Sequence, residues 1–89
     1  MKKPDIETAI RIYHEYPEIG NEQIRELYGN LSISTTTKYK NLVRKEMVER
    51  GVKTYAPYSV NTAIAYEVWG LNIKDLENRR KKLISLGMM

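Results

Sequence analysis

The chain has 89 residues, no cysteine and one histidine, and its 15 basic and 11 acidic residues give a net charge of +4. This length is typical of one small domain. The lack of cysteine excludes disulfides, thiolate metal sites and cysteine catalysis, and His14 alone cannot build a multi-histidine site. No apolar run is long enough for a membrane span, and none follows Lys2 and Lys3 as a secretion signal requires. We therefore expect a cytoplasmic protein without a metal or cofactor.

The positive charge is concentrated in the middle of the chain. Residues 32–53 carry six bases and two acids, residues 1–31 carry four bases and six acids, and residues 54–89 carry five bases and three acids. A local basic excess is expected of a surface that faces phosphates. A solvated helix face has the same charge pattern, so charge by itself leaves both interpretations open.

Two helices are predicted in the first third of the chain. Residues 5–16 have apolar side chains that recur at i, i+3, i+4 and i+7, at Ile6, Ala9, Ile10 and Tyr13. The first residue of this range is a suitable N-cap, and Pro17 stops the helix. A shorter helix is predicted over residues 22–28, with Asn21 as its N-cap and Gly29 directly after it.

A third, longer helix is predicted from Ile33 to Arg50, with Ser32 as its N-cap and Gly51 at its end. One side carries a stripe that we expect to face the core, formed by Thr36, Tyr39, Val43 and Met47, with Leu42 beside it. At about 1.5 Å per residue the helix is roughly 27 Å long, so one end can enter a groove while the other packs.

The last third is predicted to be a connection followed by two helices. Residues 51–58 favour extended backbone, but Pro57 interrupts a continuous strand, which predicts a loop with at most a short strand. A fourth helix is predicted over residues 60–69. A fifth is predicted over residues 73–86, with Asn72 as its N-cap.

The stretch from Asn21 to Val43 resembles the helix-turn-helix of small regulators found in bacteria, phages and mobile elements. A short helix ending in an apolar residue is followed by Gly29, the apolar Leu31, the cap Ser32 and a helix rich in small polar residues. Gly29 permits the backbone that the turn requires, and Leu31 fills the space between the two helices. The resemblance therefore rests on layout and on the chemistry of the turn.

Two positions depart from the family pattern. Asn30 is an additional residue in the turn, and Arg25 replaces a small residue in the first helix of the motif. Asn tolerates positive φ, so we expect the turn to form with a different angle between the helices.

Five predicted helices with short connections indicate an all-α fold, and the resemblance covers residues 5–50 of it. We predict one domain over residues 1–89, in which a three-helical, homeodomain-like core at 5–50 precedes a loop or short extended segment at 51–58 and a helical pair at 59–87. This pair has more apolar side chains than a three-helix unit needs to bury. We therefore expect it to cover the core and to form a homodimer contact.

The first half of the third helix carries the predicted DNA contacts. Three consecutive threonines are a poor start for a helix, so helix stability does not explain them. Hydroxyl and amide groups bind base edges, methyl groups contact thymine, and cations bind phosphates. The predicted DNA-binding residues are Ser32, Ile33, Ser34, Thr35, Thr37, Lys38, Lys40, Asn41, Arg44 and Lys45. The alternative is that the hydroxyls of Ser32, Ser34 and Thr35 only cap the helix.

The resemblance implies sequence-specific binding of double-stranded DNA and a role in transcription regulation. One alternative is a protein-interaction or assembly adaptor of the phage packaging or replication type, built on the same fold. Another is an architectural DNA-binding protein with little sequence preference. The sequence has no glycine-rich phosphate loop, metal-ligand cluster or recognisable nucleophile–base pair, so we expect neither enzymatic activity nor a small-molecule ligand.

Overall fold

The order of elements is known from a computed structural model that describes residues 4–87. Along the chain these are α1 (Ile6–Glu15), β1 (Glu18–Ile19), α2 (Asn21–Tyr28), α3 (Ile33–Arg50), β2 (Val60–Asn61), α4 (Thr62–Val68) and α5 (Ile73–Ser85). The mostly helical character agrees with the predicted fold class, and a two-stranded sheet is added to it. Lys2 and Lys3, which entered the charge analysis, lie outside the described residues, as do the two ends of the predicted 1–89 domain.

The predicted caps are confirmed at three helices. Asp5 accepts a hydrogen bond from the Thr8 amide at 3.1 Å at the start of α1, and Ser32 and Asn72 cap α3 and α5 in the same way. At the end of α3, Gly51 takes the left-handed conformation, with φ of 68°. These side chains satisfy amides that a helix leaves without internal partners, which is why they fix the helix starts so well.

Two helix starts differ from the prediction. The N-cap of α2 is Gly20, whose amide donates to Gln23 Oε1 at 2.9 Å, and Asn21 is the first helical residue instead of the cap. Helix α4 begins at Thr62 because the Asn61 side chain caps it, accepting from the amide of Ile64 at 2.9 Å. The side chain of Asn21 is therefore available for another partner.

A short antiparallel sheet ties the corner between α1 and α2 to the chain that precedes α4. Glu18 pairs with Asn61, and Ile19 pairs with Val60. Thr62 extends the connection, since its amide donates to the Pro17 carbonyl at 3.1 Å. Residues 51–58 contain no strand. The strand nearest to this segment is β2, which begins two residues after it. Two residues per strand are too few to produce a detectable periodicity in the sequence.

The core draws on every helix and on both strands. Helix α1 packs against α2 and α5, while α3 packs against α4, β2 and α2. Its largest fully buried side chains are Tyr66, Ile12, Ile19, Ile24, Val43, Val60 and Thr36. On the predicted stripe of α3, Thr36, Val43 and Met47 are buried and Tyr39 is half-buried, whereas Leu42 is 53% exposed. The buried face of α3 is therefore the predicted one, except that Leu42 is exposed and Lys40, which was predicted to face outward, is buried.

Aromatic side chains connect α2, α3 and α4. The rings of Tyr28 and Tyr39 each lie within about 6 Å of Trp69, and the Trp69 indole donates to the Tyr39 carbonyl at 3.3 Å. The Tyr66 hydroxyl donates to the Ala9 carbonyl at 2.5 Å and joins α4 to α1. Burial raises the pKa of Tyr28 to about 12 and also raises the pKa of Tyr66. Trp69 and Tyr28 are both buried.

A tight turn separates α2 from α3. Gly29 has a φ of 84°, and its carbonyl accepts a hydrogen bond from the Leu31 amide at 2.8 Å. Asn30 lies at the centre of this three-residue turn and does not have a positive φ. Leu31 is half-buried against the core, as the filling role predicted for it requires. None of the helices among the described residues has the length and apolar character needed to cross a membrane.

Candidate nucleic-acid interface

The burial of α3 on one side decides which of its residues face outward. Thr36, Val43 and Met47 turn into the core, so the opposite side of the first half of the helix is exposed. Among the predicted DNA-binding residues, the exposed ones are Ser32, Ile33, Ser34, Thr37, Lys38, Asn41 and Lys45, and the half-buried ones are Thr35 and Arg44. Nine of the ten predicted residues are therefore wholly or partly accessible on the side of α3 that faces away from the core, which we call the α3 surface.

The hydroxyl groups at the start of α3 bond to one another and to the helix. The Ser32 hydroxyl accepts from the Thr35 amide at 3.2 Å and lies 2.9 Å from the Thr35 hydroxyl. The Ser34 hydroxyl lies 3.3 Å from that of Ser32, and the buried Thr36 hydroxyl donates to the Ser32 carbonyl at 2.9 Å. Helix capping therefore accounts for Ser32 and Thr35 without a ligand, whereas it gives no role to Thr37.

The cations of the α3 surface have no acidic partner. Within residues 4–87, no carboxylate oxygen lies within 4 Å of the charged groups of Lys38, Arg44 or Lys45. Thr37, Asn41 and Arg44 follow one another at spacings of four and three residues, so they are neighbours along the helix. Amide, hydroxyl and guanidinium groups are thus displayed side by side.

No acidic residue occurs between Glu26 and Glu46 in the sequence. Both of these acids are ion-paired away from the α3 surface. Glu26 contacts Arg11 of α1, and Glu46 lies 2.9 Å from Arg50, which also contacts Glu67 of α4 at 2.8 Å. The two border acids are thus paired with bases outside the α3 surface, and Glu49, near the end of α3, is the remaining acid of that helix.

Apolar side chains are also exposed on α3. Ile33 is 70% exposed in the first turn, one helical turn before Thr37. Its methyl groups are of the kind that contact the thymine methyl in the major groove. Val48 is 79% exposed and lies beyond the basic residues, one turn after Arg44. The α3 surface thus combines hydrogen-bonding, cationic and apolar groups.

Lys40 differs from the other predicted residues because the fold buries it. Its side chain is only 6% exposed, and its ammonium donates to Asn21 Oδ1 at 3.1 Å. Burial lowers the pKa of Lys40, and the nearby charge of Arg44 lowers it further. The spacing shows why, since Lys40 follows Thr36 by four residues and precedes Val43 by three, which places it on the buried stripe. This periodicity would have removed Lys40 from the exposed set.

The loop between α3 and β2 is held by a single carboxylate that the sequence analysis did not single out. Glu18 accepts hydrogen bonds from the amides of Tyr55 at 2.7 Å and Ala56 at 3.1 Å, and from the hydroxyl of Ser59 at 2.8 Å. These bonds, led by that of Tyr55, lower the pKa of Glu18. They fix a loop on which Tyr55 and Tyr58 are exposed.

Basic residues of α5 form a different kind of surface. Arg79 lies 3.1 Å from Asp75, and Arg80 lies 2.6 Å from Glu7 of α1. His14 contacts Glu77 at 2.8 Å, so a further acid of α5 faces a basic group of α1. Arg80 is therefore part of the α1–α5 packing, whereas Arg79 forms an ion pair within α5.

The chain matches no protein-family model, no curated protein and no solved structure. The functional assignment therefore depends on the geometry and chemistry of the α3 surface.

Proposed function

We propose that this protein binds double-stranded DNA in a sequence-specific manner, with α2, the turn at Gly29 and α3 acting as a helix-turn-helix. The observation that carries the proposal is the α3 surface, where Lys38, Arg44 and Lys45 lie without acidic partners around exposed hydrogen-bonding groups. Cations that have no internal partner can bind phosphates without breaking an ion pair of the protein. Regulation of transcription is the biological role that we infer for such binding.

The residues of the α3 surface divide into two roles. Asn41 and Thr37 would bind base edges, where an Asn amide can make two hydrogen bonds to adenine. Ile33 would contact a thymine methyl. The three cations would bind backbone phosphates, which set affinity and register but carry little sequence information.

We further propose that the protein acts as a homodimer. One helix-turn-helix reads only a few base pairs, and two-fold dimers place a second copy on a half-site about one helical turn away. The end of α5 offers exposed apolar side chains for such a contact, at Ile84 and Leu86. Sedimentation at micromolar concentration would show a species of twice the monomer mass, and Leu86→Glu together with Ile84→Glu would return it to the monomer.

A second candidate function is a protein-assembly adaptor. The second half of α3 exposes Leu42 and Val48, which a DNA contact confined to the first half leaves uncovered. Substitution of both residues by Ser separates the two functions. An adaptor would lose its partner protein in a pull-down, whereas a DNA-binding protein would keep its affinity for duplex.

Selection of bound duplexes from a random pool tests the proposed function most directly. We expect an enriched sequence with two half-sites, and binding of that duplex should weaken as salt rises. The double variant Lys38→Ala plus Asn41→Ala should lose about 100-fold in affinity, since it removes one base contact and one phosphate contact.

The matched control for this variant lies on α5. Asn78→Ala plus Lys81→Ala removes the same two side chains at the same spacing of three residues from another exposed helix face. Its affinity should stay within about twofold of the unmodified protein. A pool without any enriched or retained duplex, or equal affinities for the two double variants, would contradict the proposed function.

A further inference from the structure

A groove of about 270 Å³ lies beside the α3 surface, where α2, α3 and the loop before β2 meet. Gly20 and Asn21 line it from α2, and Lys40 lines it from α3. The opposite wall consists of Pro57, Tyr58 and Ser59, together with Ala56. We call this the Lys40 groove. Its walls come from three parts of the chain that are distant in sequence.

The ammonium of Lys40 has no counter-charge in the described structure. Lysine is almost never buried to this extent unless it is paired, because loss of water disfavours its charged form. Its one hydrogen bond goes to the neutral Asn21 Oδ1, although an ammonium has three donors. No carboxylate of residues 4–87 lies within 4 Å of it. Two of its three donors therefore have no protein partner among the described residues, and no acidic group there offsets its charge.

The far wall of the Lys40 groove is held in place before any ligand arrives. Glu18 anchors the loop through the amides of Tyr55 and Ala56 and through the hydroxyl of Ser59. Its carboxylate is thereby engaged with the loop and does not neutralise Lys40. Tyr58, on the same loop, is exposed and lines the groove, and its phenolic hydroxyl is of a type that can donate a hydrogen bond to an anion.

We infer that the Lys40 groove binds one phosphate group, with the ammonium of Lys40 as the charge partner and the Tyr58 hydroxyl as a second donor. Lys40 lies one helical turn before Arg44 on α3, so the groove borders the α3 surface. The occupant is a backbone phosphate of the duplex, and this identification rests on the DNA-binding function proposed above. Lys40 is then a buried phosphate ligand, and the loop before β2 becomes part of the DNA contact.

Substitution of Lys40 by Met tests the inference with the full-length protein. Met keeps an unbranched apolar stem and removes the charge. The slope of log affinity for the selected duplex against log salt should become shallower by about 0.9, the value for one phosphate contact. Tyr58→Phe should weaken binding by a smaller factor. Lys81→Met, on exposed α5, should leave affinity and slope unchanged.

A purely structural role for Lys40 predicts a different result. In that case Lys40→Met would lower the melting temperature and leave the salt slope as it is. We expect instead an equal or higher melting temperature, since the variant no longer buries an uncompensated charge. An unchanged slope in Lys40→Met overturns the inference, and it leaves the proposed function standing if duplex binding persists.

Titration with inorganic phosphate tests the groove without DNA. In ¹⁵N-resolved NMR spectra, the amides of Asn21 and Ser59 should shift and saturate, and Lys40→Met should abolish the change. If the protein binds no duplex but shows a saturable shift that depends on Lys40, the proposed function is refuted. The occupant of the groove would then be a free phosphate. Absence of the shift together with an unchanged salt slope would refute phosphate binding of either kind in the Lys40 groove.

Discussion

Two basic helix surfaces of this molecule differ in what surrounds their charges. On α5, Arg79 and Arg80 face Asp75 and Glu7 at distances of 3.1 and 2.6 Å, and Lys82 lies in the last turn, where cations complement the helix dipole. On the α3 surface, Lys38, Arg44 and Lys45 have no carboxylate within 4 Å among the described residues. Both segments are basic in sequence. The difference teaches that the neutralisation of a charge, more than its number, distinguishes packing from an interface.

The largest expected effect comes from removal of two charges from each surface. Arg44→Gln plus Lys45→Gln should reduce the magnitude of the salt slope by about 1.8, which corresponds to a roughly 30-fold loss of affinity at 0.15 M salt relative to a 1 M reference. Arg79→Gln plus Arg80→Gln removes the same charge from α5 and should leave the slope unchanged. Fluorescence anisotropy with labelled duplex over a salt series measures both. Equal changes of the salt slope in the two double variants would refute the distinction between the α3 surface and α5.

The helix caps provide the next contrast. Ser32→Ala and Asn72→Ala each remove one capping hydrogen bond, so each should cost about 1 kcal/mol of the free energy of unfolding. In a domain of this size that is a fall of about 4–8 °C in melting temperature. Only Ser32→Ala should also weaken DNA binding, because Ser32 caps α3 and α3 carries the proposed DNA-binding residues. Thermal unfolding and anisotropy on the same samples separate the two effects, and loss of binding in Asn72→Ala would contradict this division.

Single charge removals should have smaller effects on stability, with opposite signs on the two surfaces. Arg80→Gln breaks the ion pair with Glu7, and an exposed pair of this kind contributes about 0–1 kcal/mol. Lys38→Gln breaks no ion pair among the described residues and relieves repulsion between like charges on α3, so the melting temperature should stay constant or rise slightly. Calorimetry at low salt gives the largest contrast. A clear loss of stability in Lys38→Gln would reveal a structural role for that residue.

Acid should loosen the loop beside the α3 surface through Glu18. Its pKa is lowered in the folded state by hydrogen bonds from the amides of Tyr55 and Ala56, so its stabilising contribution is complete above the ordinary value of 4.5. The contribution is lost as the pH falls through the lowered value. Amide exchange at Tyr55 and Ala56 should rise over that interval before the core unfolds. Glu18→Gln should show faster exchange at neutral pH and little change over the acidic range.

The helices could be predicted where a single residue governs a boundary. Asp5, Ser32 and Asn72 each accept a hydrogen bond from the amide three positions ahead, and such a local contact can be predicted from the sequence. The sheet could not be predicted, since β1 and β2 are two residues each and gain their pairing only when the segments around Ile19 and Val60 meet. Asn21 shows the limit of the rule, because a suitable capping residue does not cap when the preceding glycine takes the position.

The exposed residues of the candidate site could be predicted from the sequence, but the contacts beneath and beside them could not. The outward set around Asn41 follows from the stripe that contains Val43, and the same periodicity applied to Lys40 predicts its burial. Glu18 is different, because its role depends on a loop 37 residues further along the chain. No local sequence pattern connects a carboxylate to backbone amides at that distance. The hydrogen bonds of Glu18 and the Lys40 groove could therefore not be predicted without the three-dimensional structure.

The bonds between α1 and α4 have a consequence for the order of folding. Tyr66 binds Ala9 across 57 residues, and Thr62 binds Tyr16 across 46 residues. Each closure must overcome the entropy of a long intervening chain before it contributes stability, and contacts of high sequence separation slow the folding of small proteins. Helix α1 therefore acquires its full packing only when the second half of the chain has arrived, and assembly should be a single cooperative event.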